Sequence, residues 1–567
     1  MSGGRRVSRR GLVAGGVALA GGAIAGRALW SGGDGPATPE PGRAPDPLLR
    51  PGHLRKAIGL APFVGLGVAQ GGGDFDVARG RFVRGGRPAN VQIEANLQAP
   101  GLLTGAGGTP GLLADTGTDV VRLWAPWDQI MGAGPGRFDG RTLEALDANI
   151  HAANTASPRP VRIVLVAARF PGWVTGCAAP DADGTFRMPA DDEPRVAYVA
   201  RFHPSRRAAA GAVWDDLRRG WRSAGEPDPG RPAVHRLPGS VGDPADDGLG
   251  HVRPGGAWTR WIEFLARRYH PDPARRATVH FPDAPPNRLG AHVDLLEVMN
   301  EPNFEGWPQF VTLRDGRAVA DPADARAGDE RRAYAVATTA EMLRSAVALC
   351  ATVNAGARVP LLLGGPGTSD AHRADEASAV VLGYDRFLRR LVAELGDGLP
   401  AEPRFVWTHH HYKDTEQDRT GAPGAPGAPA DERTNGAAWV VRLLRGATED
   451  GAWRGWRGWP SGRAQDAGLA LTEGGCRRNR DAPTADEQVR RLRASFERMR
   501  DGPLGAGVVL FTTFLAWQDE SADNTGYLLR RDAPGVGDLG RARGAPADLR
   551  PLRTPLYAAW RALRSSR

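Results

Sequence analysis

Short apolar runs alternate along most of the chain with longer stretches whose apolar residues recur at helical spacing. The runs are rich in Val, Leu, Ile and Phe, as expected for parallel strands that are buried on both faces. They cover Val91–Asn96, Asp119–Ala125, Val161–Ala168, Val293–Asn300, Val359–Gly365, Phe405–His410, Leu469–Glu473 and Val508–Phe514. The stretches between them predict helices over Arg141–Asn154, Trp258–Tyr269, Arg331–Val353, Ala379–Leu395 and Ala437–Arg445.

Two further helices are predicted near the C-terminus from their start signals. Thr484 and Glu487 have the spacing of a capping box ahead of an apolar period. Thr554 and Pro555 supply an N-cap and a first-turn proline for a last helix.

Strands that alternate with helices in this way predict an α/β fold, the (β/α)8 TIM barrel, over residues 80–567. An open doubly wound sheet is the alternative, but no glycine-rich phosphate loop follows the first predicted strand. The connections after the third, fourth and sixth predicted strands are much longer than ordinary βα loops. These predicted insertions are Pro171–Gly256, Phe304–Gly328 and Lys413–Thr434. Insertions on this side of a barrel are expected to build a substrate cleft.

The N-terminus carries the pattern of an export signal. Arg9 and Arg10 lie within Ser8-Arg9-Arg10-Gly11-Leu12-Val13, and the uncharged stretch 11–26 is too short and too rich in Gly and Ala for a spanning helix. Residues 1–30 are therefore predicted to be a twin-arginine-type signal peptide, with a retained N-terminal anchor as the alternative. We interpret residues 31–79 as a disordered spacer followed by a segment that precedes the barrel. An extracellular or cell-envelope location follows from the signal.

Composition limits the kinds of molecule that the protein is expected to bind. The apolar fraction of 41% and the charged fraction of 24% are those of a folded soluble protein, and the pattern predicts no integral membrane domain. The formal charge falls from +9 to +4 without the five leader arginines, and the remaining basic residues are scattered, so no nucleic-acid partner is predicted. Cys177, Cys350 and Cys476 lack zinc-site spacing, although one pair could form a disulfide after export. Cys350 lies in a helical pattern and is predicted to be a buried thiol.

Two predicted strands end in a glutamate. Val293–Asn300 runs directly into Glu301 and Pro302, and Leu469–Glu473 is followed by two glycines. The C-terminal ends of barrel strands meet at one mouth, so Glu301 and Glu473 are expected to converge there. Two carboxyl groups across one cleft can cleave a glycosidic bond, one as the acid and the other as the nucleophile.

This arrangement resembles the clan A retaining glycoside hydrolases, in particular the cellulase and mannanase group similar to family 5. The resemblance covers roughly residue 80 to the end and rests on Asn300-Glu301-Pro302 after strand four and Glu473 on strand seven. Accessory matches occur in the family's order: Arg122 on strand two, the segment Phe170–Trp173 after strand three, His410 and Tyr412 of His-x-Tyr on strand six, and Trp517 after strand eight.

The resemblance implies a role for each of these residues. Glu301 would be the acid/base and Glu473 the nucleophile, while Asn300 would donate a hydrogen bond to the sugar 2-hydroxyl. Arg122 and Tyr412 would orient Glu473 and hold it ionised, and Trp517 would stack on the sugar. Tryptophans just after predicted strands suit carbohydrate stacking, with loop packing as the alternative for each. They are Trp127, Trp173, Trp307 and Trp517.

A metal centre is a weaker interpretation of His409-His410-His411, because strand alternation places His409 and His411 opposite His410. The sequence thus predicts an exported retaining O-glycoside hydrolase that acts on a β-linked oligo- or polysaccharide without metal or cofactor. One alternative is a catalytically silent barrel that binds carbohydrate. Another is a metal-dependent amidohydrolase, which would require His-x-His on an early strand.

Overall fold

A computed structural model supplies the structure, and all of the residues it describes belong to one compact unit, 47–567. The described residues are 54–59, 68–69, 73–76, 81–83, 105–106, 109–131, 133–134, 136–156, 160–168, 179–180, 186–187, 257–276, 283–303, 313–314, 317–318, 325–368, 383–395, 405–416, 436–437, 439–441, 469–476, 484–501, 509–515, 528–529, 550 and 553–565.

Eight parallel strands close into a barrel in which each strand pairs with the next along the chain and the last pairs with the first. The strands are Arg55–Gly59 (β1), Val120–Pro126 (β2), Arg162–Ala168 (β3), Leu295–Val298 (β4), Leu362–Gly364 (β5), Phe405–His410 (β6), Leu469–Glu473 (β7) and Val509–Leu515 (β8). Helices lie between most of them, so the predicted (β/α)8 fold is confirmed.

The first strand lies earlier in the chain than the sequence pattern indicated. β1 occupies Arg55–Gly59, within the segment 31–79 assigned to the spacer and pre-barrel region, so the barrel begins before residue 80. Arg55 and Lys56 are adjacent basic residues, so this segment lacks the apolar run from which a buried strand is predicted. Lys56 is nevertheless buried, because its ammonium donates to two main-chain carbonyls. The predicted strand Val91–Asn96 lies outside the described residues.

Helices are present at the predicted segments 141–154, 258–269, 331–353 and 379–395, although the last of these begins only at Tyr384. Most of the predicted helix Ala437–Arg445 lies outside the described residues. Nine helices have described bounds. They are Leu112–Thr116 (α1), Trp127–Ile130 (α2), Gly140–Asn154 (α3), Ala257–Arg268 (α4), Ala325–Asn354 (α5), Tyr384–Leu395 (α6), Tyr412–Glu416 (α7), Ala485–Asp501 (α8) and Pro555–Ala562 (α9), with a short 3-10 helix at Pro273–Arg275. In the described part of the chain no helix is long and apolar enough to cross a bilayer.

Small antiparallel sheets account for the remaining described strands. One has three strands, Val68–Ala69, Gly73–Asp76 and Arg81–Val83, and Gly105–Ala106 pairs with Thr109–Pro110. Two predicted insertions each contain one short pair: Ala179–Pro180 with Phe186–Arg187, and Leu313–Arg314 with Arg317–Ala318. The greater part of the predicted insertions, including the one after β6, lies outside the described residues.

The alternation of side chains along the strands separates two apolar cores. Inward-facing residues of seven strands form a floor inside the barrel: Ala57, Val120, Val164, Leu295, Leu362, Val406 and Ala470. The residues of opposite parity face the helices and form a much larger outer core, in which Ile163, Leu296 and Leu471 are fully buried. Nearer the C-terminal ends of the strands the inward-facing residues are polar, and the candidate site lies there.

Both helices predicted from their start signals begin at the predicted residues, but not all of the predicted capping hydrogen bonds are formed. Thr484 caps α8 by accepting from the Glu487 amide at 3.2 Å, whereas the Glu487 carboxylate turns to Arg490 and Arg491 instead of completing a capping box. Thr554 is the N-cap of α9 without a side-chain cap bond, because its hydroxyl donates to the Leu528 carbonyl at 3.2 Å.

Cysteine burial follows the prediction where it is described. Cys350 lies in α5 and is buried as a thiol, as expected, and Cys476 after β7 is a buried thiol as well. Cys177 lies outside the described residues.

Candidate active site

The end of β4 leaves regular strand geometry before it reaches Glu301. Met299 has φ 80° and Glu301 has φ 43°, the left-handed region that side chains other than glycine seldom adopt. The Glu301 amide donates to the Gly367 carbonyl at 2.7 Å, and Asn300 forms a bridge with the same glycine. Backbone strain of this kind persists only where the surroundings impose it, and it is concentrated at functional sites.

Arg122 is the hub of the site. It projects inward from β2, is fully buried, and uses each of its three nitrogens once. Its Nε donates to Glu297 Oε2 at 2.7 Å, one terminal nitrogen to Glu473 Oε2 at 3.1 Å and the other to Asn300 Oδ1 at 2.8 Å. Burial lowers the pKa of Arg122, but the carboxylates of Glu297 and Glu473 outweigh it and raise that pKa above its usual value. The guanidinium is therefore a fixed positive charge.

Glu473 receives a donor on each carboxylate oxygen. Tyr412 Oη donates to Oε1 at 2.9 Å, and Arg122 donates to Oε2 at 3.1 Å. Tyr412 begins α7 immediately after β6, so the turn between these elements aims the phenol at the neighbouring strand. Two donors, one on each oxygen, fix the orientation of this carboxylate.

His410 lies between the two glutamates. Its Nδ1 is 2.8 Å from Glu301 Oε1, and its Nε2 is 3.3 Å from Glu473 Oε2 without hydrogen-bond geometry. Burial lowers the pKa of His410, but the charge of Glu473 and the hydrogen bond to Glu301 outweigh it, and the net pKa is raised. His410 thus lies between Glu301 and Glu473, and both glutamates favour its charged form.

Asn300 is oriented by Arg122. Because Oδ1 accepts from Arg122, the atom on the other side of the amide is Nδ2, which can only donate. This orientation suits the donor role that the family resemblance implies for Asn300.

The flanking histidines face away from this cluster, as strand alternation predicts. His409 shares a hydrogen bond with the Thr368 hydroxyl at 2.9 Å and lies against the Tyr384 ring. His411 Nδ1 lies 2.9 Å from the Glu473 carbonyl. Burial lowers the pKa of His409 well below its usual range and that of His411 to about 3, so both rings are neutral.

The structure thus brings together six of the residues singled out from the sequence: Arg122, Asn300, Glu301, His410, Tyr412 and Glu473. Trp173, Trp307 and Trp517 lie outside the described residues. Trp127 is core packing and not a carbohydrate platform, since it is fully buried and stacks on Trp261 at a ring distance of 5.4 Å. The loop-packing alternative is the correct one for this residue.

Glu297 and Thr472 were not singled out from the sequence. Both face inward one layer below the catalytic candidates, and the Thr472 hydroxyl donates to Glu297 Oε1 at 2.7 Å. A signal for Glu297 existed, because a charged residue within an apolar strand of a parallel sheet is informative wherever it occurs.

Glu301, His410 and Glu473 also offer three potential metal ligands, with one ligand atom from each lying within 4.8 Å of the others. The surroundings do not fit a cation. Arg122 already places a buried positive charge on Glu473, and the two sides of the His410 ring face the two carboxylates. We therefore assign no metal ion to this cluster.

Comparisons with known proteins give a fold-level likeness only. No family model and no curated protein matches the chain. Among solved structures, Fpglu1 from Fervidobacterium pennivoraus is 13% identical, with 87% of this chain and 96% of that chain covered and a TM-score of 0.39. The β-glycosidase from the hyperthermophile Thermosphaera aggregans is 12% identical, with 88% and 99% covered and a TM-score of 0.34. A family 39 glycoside hydrolase from Bacteroides cellulosilyticus is 12% identical, with 91% and 64% covered and a TM-score of 0.34. Likenesses at this level support no functional conclusion, and the site itself must supply one.

Proposed function

We propose that this protein is a retaining O-glycoside hydrolase that cleaves a β-linked oligo- or polysaccharide. The observation that carries the proposal is the pair Glu301 and Glu473 at the barrel mouth, with carboxylate oxygens within 4.8 Å of each other. Carboxyl groups about 5–5.5 Å apart leave no room for a water between nucleophile and sugar and favour retention, whereas roughly 6.5–9.5 Å favours inversion.

In the first step Glu301 donates its proton to the glycosidic oxygen while a Glu473 carboxylate oxygen attacks the anomeric carbon. The bond to the leaving group breaks, and a glycosyl ester of Glu473 forms. In the second step Glu301, now ionised, takes a proton from water, whose oxygen attacks the same carbon and expels Glu473. Two inversions give net retention, and Glu301 is protonated again at the end.

The remaining residues have roles that fit this chemistry. Arg122 and Tyr412 hold Glu473 by both oxygens, so its ionised form points at one place. Asn300 presents a donor whose direction Arg122 fixes, which suits the sugar 2-hydroxyl. His410 supports Glu301 at 2.8 Å and connects its protonation to the charge of Glu473.

The alternatives have less support. A silent carbohydrate-binding barrel does not require both glutamates or the buried hub beneath them. An amidohydrolase would need a histidine pair on an early strand, and β1, Arg55–Gly59, has none. Export through the N-terminal signal, and with it an extracellular or cell-envelope location, is part of the proposal and rests on residues 1–30 alone.

The test is a panel of aryl β-glycosides and β-linked oligosaccharides with wild type, Glu473→Ala and Glu301→Ala. Azide should rescue Glu473→Ala to give the α-glycosyl azide, because it attacks from the face that Glu473 vacates. With Glu301→Ala, azide should give the β-glycosyl azide, because it attacks the glycosyl ester of Glu473. Asp501→Asn, at the exposed end of α8, is the control and should behave as wild type.

Three outcomes would count against the proposal. Absence of azide rescue would refute the nucleophile assignment, and release of the inverted sugar by wild type would refute retention. A wild type that binds oligosaccharides but cleaves none would establish the silent barrel.

A further inference from the structure

We propose that Glu297, buried on β4 below the two catalytic candidates, is a positioning residue whose negative charge keeps the acid proton on Glu301 and fixes Arg122 against Glu473. This inference rests on the proposed glycosidase function. It adds a third carboxylate to the site, one that touches no substrate and acts through its neighbours.

Glu297 is held from two sides. Arg122 Nε donates to its Oε2 at 2.7 Å from β2, and the Thr472 hydroxyl donates to its Oε1 at 2.7 Å from β7. Thr472 directly precedes Glu473, so the two residues that hold Glu297 are also the ones that position the candidate nucleophile. Glu297 is fully buried, and both of its oxygens receive a donor, as a buried charge requires.

Glu297 also lies close to His410. A Cβ added to Gly367 would be 2.6 Å from Glu297 Oε1 and 2.6 Å from His410 Nε2, so these two atoms approach the same point. Only a residue without a side chain fits there. The absence of a side chain at Gly367 leaves Glu297 and the His410 ring as near neighbours.

With Arg122 and His410 both cationic, a proton on Glu301 would make the cluster of five side chains electrically neutral. Arg122 and His410 supply two positive charges, and Glu297 and Glu473 supply two negative ones, which leaves a neutral Glu301 to complete a neutral site. Removing the charge of Glu297 would leave one uncompensated positive charge, and this favours loss of the proton from Glu301. Glu297 therefore sets the protonation state that the first chemical step requires.

Within the described residues, the titratable and polar groups near Glu297 include Arg122 from β2, Thr472 and Glu473 from β7, and Thr408 and His410 from β6. Its partners in the barrel register are Val166 on β3 and Gly364 on β5, and neither carries a charge. Tyr412 reaches the cluster through Glu473. A change in the charge of Glu297 therefore acts most strongly on Arg122 and His410, which connect Glu297 to the catalytic candidates.

The test is the pH dependence of kcat/KM for Glu297→Gln, which removes the charge and keeps the shape and the acceptor for Arg122. The acidic and the alkaline limb of the plot of kcat/KM against pH should both move to lower pH by about 1 unit, as expected when one buried negative charge is lost nearby. The loss on the alkaline side should be about tenfold for substrates with poor leaving groups. It should be small for dinitrophenyl glycosides, which need no acid catalyst.

Two matched variants separate charge from structure. Glu297→Asp keeps the charge and should leave the limbs near their wild-type positions even if kcat falls. Thr472→Val removes the hydroxyl donor and keeps the charge, so it should lower activity without moving the limbs. Titration of active sites with a 2-fluoro glycoside corrects every rate for the folded, competent fraction.

Limbs that stay in place in Glu297→Gln, with an equal loss for all leaving groups, would overturn the inference. Failure of the proposed function is a separate result, since wild type itself would then lack turnover. In that case the Glu301 carboxyl signal of protein labelled with 13C at the glutamate carboxyl, identified through Glu301→Gln, still reports the protonation of Glu301. Unaltered titration of that signal in Glu297→Gln would equally overturn the inference.

Discussion

The three consecutive histidines at the end of β6 have different protonation properties because their rings face different surroundings. His410 faces two carboxylates, which raise its pKa, whereas His409 and His411 face hydroxyl and carbonyl groups in the outer layer. For the latter two burial dominates and lowers the pKa. One residue type thus provides a ring inside the barrel whose charged form is favoured, and two neutral rings that face the opposite way.

Neutral burial of His411 predicts an acid-sensitive fold. Its pKa is about 3 in the folded protein, whereas an ordinary histidine has a pKa of 6.5, so the unfolded chain binds more protons between these values. The contribution of His411 to the free energy of unfolding is therefore fully present above about pH 6.5. It decreases as the pH falls, by about 2 kcal/mol at pH 5. Denaturant unfolding of His411→Gln should show a flatter decline between pH 7 and 5. His151→Gln on the surface of α3 is the control, and an unchanged slope in His411→Gln would contradict the prediction.

Gly367 tests how tightly the site is packed. A methyl group there would overlap Glu297 Oε1 and His410 Nε2 at 2.6 Å, so Gly367→Ala should displace one of them. We expect a loss of about 1–3 kcal/mol in unfolding free energy and a fall in kcat larger than any change in KM. Gly140→Ala is the matched control, because its Cβ would meet only Pro285 Cγ at 3.7 Å. Wild-type activity in Gly367→Ala would show that the packing is looser than the geometry indicates.

At the scale of elements, a buried ion pair joins two helices outside the barrel. Arg268 at the end of α4 donates to both oxygens of Asp147 on α3, at 3.2 and 2.7 Å, and to the Pro285 carbonyl at 2.6 Å. Tyr269 donates to Asp147 as well, at 2.8 Å. The pair therefore joins the two outer helices α3 and α4.

A double-mutant cycle should separate the two parts of this contact. Asp147→Leu or Arg268→Met alone leaves one buried charge unpaired and should cost about 3–5 kcal/mol, whereas the double variant should cost clearly less than the sum. The measurement is urea unfolding of the four proteins. Additive losses would mean that the residues stabilise the helices independently.

The sequence predicted most elements because the periodicity of burial is simple in a barrel. Phe405–His410 and Leu469–Glu473 are buried along their whole length, as expected for strands covered on both faces, and their bounds match the prediction. β1 was missed because its Lys56 is buried by contacts from residues far away in the chain, which no local pattern contains. The turn at Met299 and Glu301 was equally invisible, since its positive φ angles are imposed by the neighbouring strand.

The candidate site shows the same division between local and distant information. Glu301 and Glu473 could be found because each lies at the C-terminal end of a predicted strand, and the fold then brings these ends together. The role of Glu297 could not be inferred, because it depends on Arg122 and Thr472, which are 175 positions away in opposite directions along the chain. Motif positions are local, but the charge balance around them is a property of the assembled barrel.

At the scale of the whole molecule, Lys56 joins the two ends of the barrel chain. It lies on β1, and its ammonium donates to the Thr116 carbonyl at 2.6 Å and to the Leu563 carbonyl at 2.8 Å, at the C-terminal ends of α1 and α9. The Trp560 ring lies below it at 5.6 Å. A cation at two helix C-termini is favourable, and here it connects residues more than 500 positions apart in the chain.

Lys56→Met should therefore destabilise the whole barrel and leave the candidate site, at the opposite end, unaltered. At pH 7 we expect a loss of about 2–4 kcal/mol, because two buried carbonyls lose a charged donor. Burial lowers the pKa of Lys56 to about 8, only partly opposed by Asp119. Between about pH 8 and 9.5 the unfolded chain keeps a proton that the folded protein releases, so the stability of wild type should rise relative to Lys56→Met by up to about 2 kcal/mol. The measurement is denaturant unfolding of both proteins across this range, and a constant difference would mean that Lys56 stays charged in its buried position.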